Sequence, residues 1–254
     1  MAGTVMHLVI ADRLIEQLNI QNPGYFYCGN LAPDAIMNRE NYVREMKRHT
    51  HFKDGIRLHE FREPENFKAY LVRLMDFYHT LVEKPDPHHE IYFGYLTHLL
   101  VDELYVLHFR DGFVDQLVAE GKEPTDIDFF RKFTRDVYMV DLELVQTHSF
   151  RYPMPETLRI KETYEIPGFI TSKELLDSKE FVIHANFLQG GLGDHQERDE
   201  VSQFYFPDRP KNPGHPAEEL QVMTMEQNLR FIELCVSEIP KLLLDRFGMD
   251  KAFS

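Results

Sequence analysis

The chain has 254 residues, 43% of them hydrophobic and 13% aromatic, with 20 Phe and 12 Tyr but no Trp. That is enough apolar material for one large domain with a real core, and it is not a disordered composition. Lys and Arg number 28 against 42 Asp and Glu, a formal charge of −14. An acidic surface of this kind repels the phosphates of a nucleic-acid polymer and finds no attraction in an anionic membrane. An anionic substrate would need the field reversed locally, and a bound divalent cation is the usual means.

Two cysteines, Cys28 and Cys235, make no disulfide framework. The start, Met1 to His7, shows no basic segment followed by an apolar run, and no stretch of 18 uncharged apolar residues occurs. The expected protein therefore has no membrane span and sits in a reducing cytoplasm.

In chain order, residues 4–20 are expected to form a helix, with Leu8, Ala11, Leu14, Ile15 and Leu18 three and four apart and Thr4 as a cap. Asn22-Pro23-Gly24 ends it. Tyr25 to Ile36 reads as short and mixed, broken at Gly29-Asn30 and Ala32-Pro33, with a helix able to start at Asp34. His49 to Phe52 has the ordinary reading of a solvated loop after the basic run Arg44 to Arg48. Glu65 to Val82 is a strong helix, closed by Lys84-Pro85-Asp86-Pro87. Glu90 to about His108 is apolar nearly all round and should lie at the centre of the fold. Phe113 to Glu120 is a short piece, and Asp126 to Thr147 an amphipathic helix that Thr125 could cap. From Tyr152 to Pro216 the chain is rich in Pro, Gly and charge, with only a short helical candidate at Ser172 to Leu176. Ala217 to Phe247 reads as the last helix, kinked or split at Pro240. The expected architecture is all-α: one helical domain over 1–254, bundled around a central buried helix, with an irregular insertion at 152–216 before the C-terminal helix. That insertion is a candidate lid or dimer arm, which leaves a homo-oligomer open, and Phe204 to Pro207 is its candidate anchor.

The 13 His are many for this length, and histidine is the commonest metal ligand. His88, His89, His195 and His215 lie in polar loop stretches without periodic partners and read as surface residues. His98 and Asp102 stand four apart on the central helix, so they share one face, one turn apart, and can converge on one cation. Burying both without a partner is costly. A hydrogen-bonded His–Asp pair in the core meets that cost as well as a metal does, and spacing alone leaves both open. His7 opens an amphipathic helix; Asp34 follows Leu31-Ala32-Pro33; His51 lies in His49-Thr50-His51-Phe52. Singly, each has an ordinary structural reading as a packed, capping or loop residue.

As an ordered set they resemble the zinc-dependent phospholipase C family, related to the single-strand-specific fungal nucleases. Met6-His7-Leu8-Val9-Ile10-Ala11 resembles that family's first metal histidine. Gly29-Asn30-Leu31-Ala32-Pro33-Asp34 is similar to the segment that supplies an aspartate ligand. Thr50-His51-Phe52 resembles its short Ser-His-Phe segment. Tyr95 to Asp102 resembles its helix with His and Asp four apart, where the Asp bridges two metals, and His108 falls where the family has another histidine. The match covers about the first 110 residues. There are departures. Met1 lies six residues before His7, whereas the three-metal members begin at a processed amino group that binds metal. Where the family has a His-x-x-x-Glu or His-x-x-x-Asp pair, this chain has Lys132-Phe133-Thr134-Arg135-Asp136, in which only Asp136 is a ligand type. His108 also lies about 240° round from Asp102 on an unbroken helix, so it needs a break to join them.

The resemblance implies a metal-dependent phosphoesterase, with one or two divalent ions, zinc first among them. Asp34, His51, His98 and Asp102 would hold one ion, His7 and bridging Asp102 part of a second, with His108 at the margin. Asp34 is also the candidate general base, and the expected substrate is a small phosphodiester or phosphomonoester. A non-catalytic metal-binding protein on the same scaffold is the alternative. An HD-type phosphohydrolase is disfavoured, because no His is directly followed by Asp.

Overall fold

The computed structural model describes residues 2–84, 89–110, 112–113, 115, 119–121, 127–159, 164–188, 220 and 222–249. It is all-α: helices α1 (Thr4–Leu14), α2 (Pro23–Ala35), α3 (Arg44–Thr50), α4 (Pro64–Phe77), α5 (His89–Leu104), α6 (Ile127–Thr147), α7 (Met154–Leu158), α8 (Ser172–Val182) and α9 (Met225–Phe247). Among the described residues the only β pairing is an isolated bridge between Ile166 and Ile170. No helix there is long and apolar enough to cross a membrane.

The all-round apolar sequence of α5 is matched by its burial, since every residue from Glu90 to Leu104 except Tyr92 is buried. Helices α1, α2 and α9 pack against it. Its closest approach is to α2, at Gly29 and Gly94. A Cβ on Gly29 would run into the Ile91 carbonyl oxygen, and one on Gly94 into that of Phe26. Only two facing glycines let these backbones approach so closely.

This explains why α2 runs unbroken through the residues expected to interrupt it. Gly29 costs helix propensity but gains a tight crossing. Pro33 lacks the N–H that would bond the Gly29 carbonyl, but it sits in the last turn, where the helix loses little. Its own carbonyl accepts from the Thr50 hydroxyl at 2.8 Å.

Several helix ends are capped from other helices. No side chain of its own caps α1 at Gly3. Instead Asp141 of α6 accepts from the Val5 and Met6 amides at 3.1 and 3.0 Å. Gly3 is needed there, because a Cβ would strike that carboxylate. Likewise Glu90 of α5 accepts from the Gln21 and Asn22 amides at 2.5 and 2.6 Å, at the head of α2. Each carboxylate meets orphan N–H groups and the positive end of a helix dipole.

Several elements differ from expectation. Helix α1 ends at Leu14 and continues as turns to Asn19, which takes a left-handed φ of 53°. The Ile20 and Asn19 amides bond back to Ile15 and Glu16, which closes the end as a Schellman motif. The basic run 44–48 forms helix α3, which extends into the expected loop as far as Thr50. Residues 172–188, expected to be mostly irregular, form α8 and a π-helical extension over Ile183–Leu188. Thr171 and Glu174 supply a capping box there, a signal present in the sequence. Helix α9 starts at Met225, capped by Thr224, and passes Pro240 without splitting. Its buried residues on both sides of the proline, Cys235, Val236, Ile239 and Leu243, hold the register. Half of the expected piece at 113–120, the cap at Thr125 and the anchor at 204–207 lie outside the described residues.

Two predictions test this frame. Gly94→Ala should destabilise the protein by about 2–3 kcal/mol or more, since overpacking here meets backbone and not a movable side chain. Thermal unfolding followed by circular dichroism reads this; an unchanged melting temperature would mean that α2 and α5 do not cross at these glycines. The second concerns Asp12, buried where α1, α2 and the end of α6 meet. It accepts from Tyr27 at 2.5 Å, His148 at 2.9 Å and the Arg151 amide at 3.1 Å. Burial opposes its charge, but these donors outweigh burial and hold its carboxyl below the usual range. A lowered folded-state value stabilises above the unfolded value and is lost as pH falls through the folded one. Asp12→Asn should therefore cost about 1–3 kcal/mol at pH 7. The deficit should shrink below about pH 4 in urea titrations; a constant deficit would contradict the ionised state.

Candidate metal centre

The α2–α5 crossing brings the next residue of α2, Asn30, against α5. Its carbonyl lies 2.7 Å from His98 Nδ1. A carbonyl only accepts, so His98 carries its proton on Nδ1 and presents a bare Nε2. His51 is fixed the same way. It follows the end of α3, and its Nδ1 lies 2.8 Å from the Lys47 carbonyl. Thr50 is held by its bond to Pro33 and by Tyr95 of α5, whose hydroxyl donates to the Thr50 carbonyl at 2.5 Å. Phe52 takes a left-handed φ of 57°, costly for a bulky residue. Its carbonyl is fixed by the Arg73 guanidinium at 2.9 Å, and its ring packs with Phe77, Tyr95 and Phe169.

The bare nitrogens face one another. His98 Nε2 and His51 Nε2 lie 3.3 Å apart. His51 Nε2 is also 3.3 Å from Asp34 Oδ1 and 3.4 Å from Asp102 Oδ2. Asp102 Oδ1 is 3.5 Å from His7 Nε2, and the His7 ring stacks on His98 at 3.8 Å, nearly parallel. So Asp102 turns one oxygen to His7 and the other to His51. Both its oxygens, and both nitrogens of His7, are buried without a hydrogen-bond partner.

Protonation follows from burial and neighbours. Burial pushes the His98 and His51 imidazoles below their usual values, well below for His98, which His7 lowers further. For Asp34, burial opposes the charge, but Lys47, His51 and His98 hold the carboxyl well below the usual range. For Asp102, burial is likewise overcome, by His7, Lys53, His98 and His51. Neutral imidazoles and ionised carboxylates are the forms that bind metal. Two triples, His7–His98–Asp102 and Asp34–His51–His98, each have ligand atoms within 4.8 Å of one another.

Thus five of the six sequence candidates are brought together: His7, Asp34, His51, His98 and Asp102. His108 is not. The helix changes to π at Tyr105–Arg110, which supplies the required break, yet His108 stays exposed. It lines a separate surface pocket with Phe109, Arg230 and Phe231. Asp136 is fully buried elsewhere and accepts from the Val222 and Met223 amides at 2.6 and 3.1 Å, while Lys132 is exposed. Sequence reasoning missed the supporting groups. The Asn30 and Lys47 carbonyls leave no side-chain signal. Lys47 and His51 do stand one helical turn apart, as a ring reaching back to a carbonyl requires.

At the edge of the cluster the Lys47 ammonium lies 2.6 Å from Asp34 Oδ1. On the far side Glu103, next to Asp102, takes a two-pronged bond from Arg246 of α9, both distances 2.7 Å. Lys53 is buried with its ammonium 4.9 Å from the Phe61 ring centre.

A family model described as zinc dependent phospholipase C matches residues 6–178, more than half of the chain and all five clustered residues. Comparisons with curated proteins and with solved structures found no match. With that match and these His and Asp groups able to hold a metal, the chain belongs to the zinc-dependent phospholipase C family.

Proposed function

We propose that the protein is a metal-dependent phosphoesterase acting on a small phosphorylated substrate, a phosphodiester or a phosphomonoester. The observation that supports this most is the convergence of lone pairs. Two unprotonated imidazole nitrogens 3.3 Å apart stand beside a buried carboxylate, Asp102, whose two oxygens have no hydrogen-bond donor. Four acceptors in a buried place repel one another unless a cation lies among them.

Asp34, His51, His98 and Asp102 would hold one zinc ion; His7 and the other oxygen of Asp102 would hold part of a second. Bound zinc supplies Lewis acidity, which acidifies water and offsets the charge of phosphoryl oxygens. The chain does the rest. Asn30 and Lys47 hold the two ring tautomers through their carbonyls. Asp34, ionised and nearest to solvent, is the general base that takes the proton of an attacking water. His7, stacked on His98, closes the inner wall. We read the chain as one helical domain, since α9 packs on α1 and α5. Two free, buried thiols suit a reducing cytoplasm.

A metal-binding protein without turnover is the second reading, favoured by the placement of His108 and Asp136 away from the cluster. Two measurements address these readings. Elemental analysis of the purified protein should find one or two zinc ions per chain. Chelation should lower the melting temperature, because a ligand at a hundred times its Kd contributes about 2.7 kcal/mol; a metal-free protein with an unchanged melting temperature would sink both readings. The zinc-loaded protein should hydrolyse a chromogenic phosphodiester or monoester, and Asp102→Asn should reduce the rate by about a hundredfold or more with loss of metal. Stoichiometric zinc without turnover on either ester would leave the second reading standing.

A further inference from the structure

The four inner residues of the cluster, His7, His51, His98 and Asp102, have side chains no more than 2% exposed. Asp34 is 21% exposed and Lys47 18%. Asp34 and Lys47 are therefore the side of the cluster that solvent reaches, and a substrate would approach from that side. The backbone of Lys47 is fixed here. Its backbone carbonyl holds the His51 ring at 2.8 Å, so its stem starts beside the cluster. Its ammonium rests on Asp34 Oδ1, the same oxygen that lies 3.3 Å from His51 Nε2. When a cation draws on that oxygen, the ammonium loses part of its partner while still facing the mouth. An anionic substrate approaching a chain of net charge −14 meets a positive group at this point.

We propose that Lys47 is the substrate-recognition residue of this site: it pairs with Asp34 in the metal-free protein and with a non-bridging phosphoryl oxygen once metal is bound. The inference rests on the phosphoesterase reading above and adds to it the group that selects phosphoryl charge. A charge-assisted hydrogen bond of this kind is worth about tenfold or more in affinity.

The test uses the zinc-loaded full chain and two soluble probes in calorimetric titrations. Inorganic phosphate stands for a free dianionic group, and glycerophosphocholine for a lipid headgroup diester. Lys47→Met should retain zinc, with affinity equal to or above that of the native chain, because a competitor for Asp34 has gone. Its affinity for phosphate should fall about tenfold or more, and Lys47→Arg should restore most of it. Loss with phosphate alone would assign Lys47 to dianionic monoesters; loss with both probes would extend its role to diesters. Unchanged affinity for both in Lys47→Met overturns the role of Lys47 while the phosphoesterase reading stands. Loss of zinc from Lys47→Met as severe as that from Asp34→Asn also overturns it, by making the residue structural. If the zinc-loaded native chain binds neither probe, the phosphoesterase reading itself fails.

Discussion

The closeness of α2 and α5 at Gly29 and Gly94 sets the rest of the structure. Two backbones without Cβ atoms between them place the Asn30 carbonyl against His98 Nδ1. The same approach carries the end of α2, with Pro33 and Asp34, over the face of α5 that bears His98 and Asp102. Thr50 then bonds Pro33 on one side and receives Tyr95 of α5 on the other. So the crossing locates Thr50, and Thr50 locates His51. A crossing one side chain wider would leave His98 without a fixed tautomer and Asp34 out of reach.

Buried carboxylates serve this protein in two ways, and counting protons separates them. Asp12, Glu90, Asp136 and Asp141 each accept from backbone amides or from donors such as Tyr27. Their charge is met by N–H and O–H groups, and they join elements. Asp102 is as deeply buried but faces ring nitrogens, two of which are bare because their protons point at carbonyls. With both rings neutral and their protons on the carbonyls, neither His51 nor His98 offers Asp102 a donor. The difference lies in the partners' protons, not in burial, and it sets the candidate metal centre apart from the structural carboxylates.

Much of this was legible in the sequence where a periodic pattern was strong. The apolar helix at 89–104 and the His98–Asp102 pair on one of its faces follow from spacing alone. The gathering of His7, Asp34 and His51 did not follow from spacing; it came through the family's ordered motifs. Local rules failed where tertiary contact reversed them. Gly29 and Pro33 read as breaks, but a close helix crossing wants the glycine, and a last turn tolerates the proline. His49 to Phe52 read as a solvated loop because a basic run precedes it, yet Thr50 and His51 turn inward at the end of that short helix. Asp136 looked like a ligand because family position suggested it, while two backbone amides of the segment before α9 take its charge.

Helix α9 lies beyond the region that matches the family, and it bears on the centre through the residue next to Asp102. Glu103 is 1% exposed and would be an uncompensated buried charge without Arg246. The two-pronged pairing fixes the Glu103 side chain in plane and direction, and with it this turn of α5. Lys53 stands on the same side, its ammonium pushed down by burial and held up in part by Asp102 and Glu103. A positive charge near Asp102 favours its ionised carboxylate, the form able to bind a metal. The inner wall thus has its own balance of charge, set by Arg246 and Lys53, as the outer edge has in Lys47 and Asp34. Three carboxylates, Asp34, Asp102 and Glu103, thus stand among three positive groups, Lys47, Lys53 and Arg246, so the buried negative charge of the cluster is largely compensated in an acidic protein.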